Sequence, residues 1–132
     1  MAFFGYTTGS LIKQTMRISS QKTNPILKNQ IIKTLAQTLA DFKDPKDVEL
    51  FLSDFFNESE LETFAKRLAI AYWLRKKRSY VNIKNNLKVS SATIATIQNL
   101  MAKPGMMLAI KDIEAEEWAN VWAKKIKKFI KS

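Results

Sequence analysis

Apolar positions recur at helical spacing through most of the chain after residue 23. Asn24-Pro25 opens the first such stretch with a capping side chain, then a Pro where its missing N–H costs nothing. Ile31, Leu35, Leu39 and Phe42 form one stripe, broadened by Ile26, Leu27 and Ile32. They predict a helix to about Asp41. Asp44-Pro45 repeats the start signal. Val48, Phe51, Leu52 and Phe55 then predict a short second helix, with Asp47 and Glu49 near its positive end. Asn57 opens a third, with Glu60 three residues on as in a capping box. That helix is expected to run to about Lys77. Its centre, LAIAYWL, is apolar nearly all round and needs cover on several sides. Either the rest of a monomeric bundle or a second subunit must supply it, and in so short a chain a second subunit is expected.

From Ser79 to Asn99 two short helical patterns stand back to back. Ile83 and Leu87, four apart, give the first an apolar side that also takes in Val81. Val89 lies in the connection. Ser90 can cap the second, which turns Ile94 and Ile97 inward. Lys103-Pro104-Gly105 then reads as a helix stop and a domain boundary. A last helix is expected from about Ile110 to Lys131, with Trp118, Trp122, Ile126 and Phe129 as its apolar stripe. Such a stripe more often serves a core or a dimer interface than a membrane surface. The early acids Asp112, Glu114, Glu116 and Glu117 also disfavour an anionic bilayer. Residues 1–23 show no sustained period. They read as an arm, loose or packed on a partner subunit, whose Lys13, Arg17 and Lys22 can reach phosphates. The expected organisation is an arm over 1–23, a helix-turn-helix domain over 24–103 and a C-terminal amphipathic helix over 104–132.

Only three Gly and three Pro in 132 residues argue against a turn-rich β architecture, so the expected fold class is all-α. The chain has no Cys and no His. That excludes disulfides, thiol nucleophiles and Ser-His-Asp catalysis, and removes the commonest zinc ligands. Acids cluster at helix starts, where capping explains them, and no Gly-rich phosphate loop is present. An enzyme is not expected, nor any cofactor or metal. No apolar run approaches a membrane span, and the N-terminus does not read as a signal peptide, so a cytoplasmic protein is expected.

The formal net charge is +10. Its distribution matters more than its size. Residues 41–62 carry eight Asp/Glu against two Lys, whereas residues 63–109 carry nine Lys/Arg and no acid. An ordinary solvated surface mixes both signs, so this window points to a polyanionic partner. It contains the paired helices. The second of these carries Ser91, Ala92, Ala95, Thr96, Gln98 and Asn99 on its outer side. Small residues let a helix backbone approach base edges in a major groove, and Thr, Gln and Asn can hydrogen-bond there. Ser90 and Thr93 can donate to phosphates near the helix N-terminus. Arg75, Lys76, Lys77 and Arg78 complement the negative end of the third helix and stand where a duplex backbone would pass. Double-stranded DNA is the expected partner. A basic scaffold for RNA or an anionic membrane surface is the alternative.

The segments FLSDFFNESEL (Phe51 to Leu61), KRLAIAYWL (Lys66 to Leu74) and NIKNNLKVSSATIATI (Asn82 to Ile97) resemble the trp repressor-like family, which includes the trp repressor and the YerC/YecD-type proteins. The resemblance covers about fifty residues without gaps. It implies a trp repressor-like helical bundle, an intertwined homodimer and a DNA-binding transcriptional regulator. It implies DNA contact by Lys84 and base contact by Ser91, Ala92 and Ala95. Thr96, Gln98 and Asn99 are added here from helix geometry. Lys88 stands at a turn position where the family has Gly, which often needs positive φ. The trp repressor holds its L-tryptophan corepressor between two arginines. Arg67 keeps one and makes an effector-binding candidate. The other falls at Thr96, and the adjoining Gly becomes Ile97. One cation and one wall are therefore missing, so L-tryptophan is not expected to be a corepressor here.

Overall fold

The computed structural model describes residues 22–131, except for the side chains of Trp122, Phe129, Ile130 and Lys131. Residues 1–21 of the expected arm lie outside it, as do two members of the expected apolar stripe of the last helix, Trp122 and Phe129. The described residues form helices without strands: α1 (Pro25–Asp41), α2 (Pro45–Phe55), α3 (Glu58–Arg75), α4 (Tyr80–Leu87), α5 (Ser91–Leu100) and α6 (Pro104–Lys131). They divide into two compact units, one ending at Glu49 and one beginning at Leu50.

The helix starts follow the capping chemistry. Asn24 Oδ1 accepts from the N–H groups of Ile26 and Leu27 at 2.9 and 3.4 Å, with Pro25 next in line. Asp44 Oδ1 accepts from Lys46 N–H at 2.9 Å. At α3 both halves of a capping box close: Glu60 N–H donates to Asn57 Oδ1 at 2.8 Å, and Asn57 N–H to Glu60 Oε1 at 2.9 Å. Each such cap is worth about 1 kcal/mol. In the first unit, α1 has no buried residue, and Ile31, Ile32 and Leu35 of its stripe stand exposed.

The second unit is built on α3. Ile70 and Ala71 of α3 pack with Ile83 of α4, Ile94 and Ile97 of α5, and Ile110 of α6. Burying each Ile contributes about 1.5–3 kcal/mol. Trp73, Leu74, Leu87 and Val89 close around this core. Val81, by contrast, is exposed, so the apolar side of α4 is the narrower Ile83 and Leu87 line. Among the described residues Leu68 of α3 is also exposed, as is Phe64, whose ring meets that of Phe56 at 5.0 Å between centres.

A helix does stop before Lys103-Pro104-Gly105, since α5 ends at Leu100, but the next one opens at once. Pro104 occupies the first turn of α6, where a Pro needs no N–H partner, so the helix starts six residues before Ile110. Its acids consequently lie in mid-helix, and two of them reach α3. Arg75 Nε stands 3.7 Å from Glu114 Oε1, and Lys76 Nζ 3.3 Å from Glu117 Oε1.

Two lysines hold left-handed backbone, Lys77 (φ 64°) and Lys88 (φ 56°). Lys77 ends α3 in a Schellman motif: its N–H donates to Leu74 O at 3.0 Å, and Arg78 N–H to Trp73 O at 3.1 Å. The apolar contact that usually spans such a turn is replaced by the Arg78 guanidinium, 4.1 Å from the Trp73 ring centre. Lys88 closes α4 with its N–H on Lys84 O at 3.0 Å. A side chain in this region costs about 1–2 kcal/mol. Lys88→Gly is therefore expected to raise unfolding stability by about 1 kcal/mol, read as a higher midpoint in urea titration. A lower midpoint would mean that the Lys88 side chain contributes more than its backbone costs.

Candidate nucleic-acid interface

Helix α4, the three residues Lys88-Val89-Ser90 and helix α5 make a helix-turn-helix. Each helix is capped by a serine. Ser79 Oγ accepts from Asn82 N–H at 3.1 Å, and Ser90 Oγ from Thr93 N–H at 3.1 Å. The Ser90 and Thr93 hydroxyls also meet at 2.9 Å. Ile83, Ile94 and Ile97, none more than 1% exposed, anchor both helices to Ile70 and so fix which side of α5 faces outward.

That outward side is largely the expected one. Ser91, Ala92, Thr96, Gln98 and Asn99 are exposed, as are Ser90 on the cap and Lys84 on α4. Ala95 and Thr93 are half-buried, so they lie at the flanks and the middle is held by Ala92, Thr96 and Asn99. Thr96 Oγ1 donates to its own helix at Ala92 O, 3.0 Å away. Tyr80 O–H donates to Gln98 Oε1 and joins the start of α4 to the end of α5. This bond spans eighteen residues and left no mark in the local pattern.

The basic run after α3 is only partly available. Arg75 and Lys76 are engaged with Glu114 and Glu117, and Arg78 lies over Trp73 and within 3.5 Å of Asn82 Oδ1. The ion pairs are half exposed, worth about 0–1 kcal/mol, and a phosphate can displace them. Lys77 sits at the positive-φ bend between them.

Arg67 is exposed and borders an open groove of about 440 Å³ between α3 and the α4–α5 turn. Lys66, Lys88, Thr63, Ser90 and Thr93 line it with Arg67, over Ile70 and Val89. Neither Thr96 nor Ile97 borders it. Ile97 is spent in the core. Among the described residues no Asp/Glu cluster suits a metal ion, and no helix is long and apolar enough to cross a membrane.

Residues 30–112 match the family model described as Trp repressor protein. The chain belongs to this family. No curated protein and no solved structure matches the chain. The match takes in α2 to α5 whole and ends at residue 112, in the early part of α6. Trp repressor family proteins are DNA-binding regulators of the helix-turn-helix kind, and the all-helical fold with its capped α4–α5 pair agrees with that membership.

Proposed function

We propose that the protein is a transcriptional regulator that binds specific double-stranded DNA sites through α5, as a homodimer. One observation carries the reading. The helix that presents small and amide side chains outward lies inside a stretch of 47 residues, 63–109, without a carboxylate. Ala92 suits a thymine methyl group, while Thr96, Asn99 and the Gln98 amide suit polar base edges. Lys84, Ser90, Ser91, Thr93 and Ala95 serve at the margins, and Arg75, Lys76, Lys77 and Arg78 lie where phosphates would pass. The exposed Ile31 and Ile32 of α1, and Leu68 of α3, offer apolar surfaces for a second subunit. Duplex affinity is expected to fall steeply with salt, with a log–log slope of about −4 or steeper. A slope near zero in a salt titration would remove the electrostatic half of the reading.

L-tryptophan is not the corepressor in this reading. An indole ring needs two flat walls and its carboxylate a cation. Arg67 supplies one cation, but Thr96 is too short for a wall and Ile97 points into the core. Calorimetric titration is expected to show no binding tighter than about 100 μM, or roughly −5.5 kcal/mol. Tighter binding together with stronger duplex affinity would show that the corepressor function survives.

A further inference from the structure

Helix α6 is longer than its part in the core requires. Its last core residue is Ile110, and Glu117 pairs with Lys76 at the end of α3. Fourteen more residues follow, to Lys131, or about 21 Å of helix. The family match ends at residue 112, before this segment begins. Its charge is one-sided. After Glu117 there is no acid, while Lys124, Lys125, Lys127, Lys128 and Lys131 follow within eight residues. The first four of these are exposed. At 100° per residue Lys124, Lys127 and Lys128 share an arc opposite the stripe of Trp118 and Ile126, while Lys125 falls beside Trp118. The Lys76–Glu117 pair roots the overhang beside the turn into α4, where the helix-turn-helix begins.

Five like charges on little more than two helical turns repel the same segment of a second copy, so self-pairing of these halves is disfavoured. A polyanion suits them. We propose that the distal half of α6 is a second, sequence-independent duplex-binding element that grips phosphates flanking the site read by α5. It rests on the DNA-binding reading but uses different residues, so the two can fail separately.

The test is a variant with Lys124, Lys127 and Lys128 all changed to Gln, which keeps the helix and removes three charges. Wild type and variant are titrated with a short duplex of about 20 base pairs and a long one of about 50, both of random sequence. Circular dichroism melting confirms equal folding. On the long duplex the wild-type log–log salt slope is expected to be steeper than the variant's by about 3, near 0.9 for each phosphate that the variant leaves unneutralised. Affinity at 0.15 M salt is expected to fall at least tenfold. On the short duplex the two proteins should differ little. Equal slopes on the long duplex would overturn the proposal. So would loss of binding to vesicles of phosphatidylcholine and phosphatidylserine with no change on duplex, which would make the overhang a lipid-binding element. Because the duplexes are random, the slope difference stands or falls without any sequence preference of α5.

Discussion

Ile94→Asp is expected to abolish cooperative folding of the unit that carries the helix-turn-helix. Ile94 is fully buried and meets α3, α4 and the rest of α5 in one apolar cluster that contains no buried polar group. Removing its side chain forfeits about 2–5 kcal/mol by transfer and cavity terms. A carboxylate at the same point has neither a cation nor a donor to meet it, and its desolvation adds several kcal/mol more. A domain of this size is stable by about 5–15 kcal/mol in all. Heating should then give a broad, non-cooperative loss of ellipticity, with no duplex binding. Ile94→Val, which removes one methylene, should cost only about 0.5–1.5 kcal/mol and keep binding. A wild-type melt for the Asp variant would mean that Ile94 faces solvent and that the phase assigned to α5 is wrong.

Ala92→Leu is expected to do the opposite: to spare the fold and damage recognition. Ala92 is exposed on the outer side of α5, away from Ile94 and Ile97, so a larger side chain meets no protein atom of the core. In a major groove it would hold the backbone away from the bases and spoil neighbouring base pairing by Thr96 and Asn99. Each good hydrogen-bonded base pairing carries about 1–3 kcal/mol of discrimination. Without two of them, affinity for the preferred site falls by about a hundredfold or more. Binding to random duplex should persist, since it is mostly electrostatic. Equal losses on preferred and random duplex would show that α5 contributes charge or fold but no reading. Ala95, half-buried, would mix these effects and is the poorer probe.

Much of this was legible in the sequence because the signals are local. Asn24, Asn57 with Glu60, and Ser90 each bond to their own helix within three residues, so capping chemistry located three helix starts. The inward phase of Ile83, Ile94 and Ile97 followed from spacing alone. The backbone demand at Lys88 was visible through the family resemblance, and its φ of 56° meets it. What escaped lies at long range or in context. Pro104 followed by Gly105 marks a break after α5, yet a Pro is also favoured as the first residue of a helix, so α6 begins there and not at Ile110. Arg75 and Lys76 looked free to meet a duplex because nothing nearby in sequence opposes them. Their acids stand 39 and 41 residues on, in α6. The Tyr80–Gln98 bond is hidden in the same way. What α1 and Leu68 pack against is not written in the local pattern, because an apolar stripe looks the same against any partner.

The central claim is that α5 reads DNA sequence and that two copies do so together. Selection of bound duplexes from a random pool tests it most directly. The expected result is enrichment of a roughly palindromic site, with half-sites about one helical turn apart, and no such enrichment when the pool is offered to the Ala92→Leu variant. A pool that stays random through repeated rounds, while binding remains strong and salt-sensitive, would contradict it.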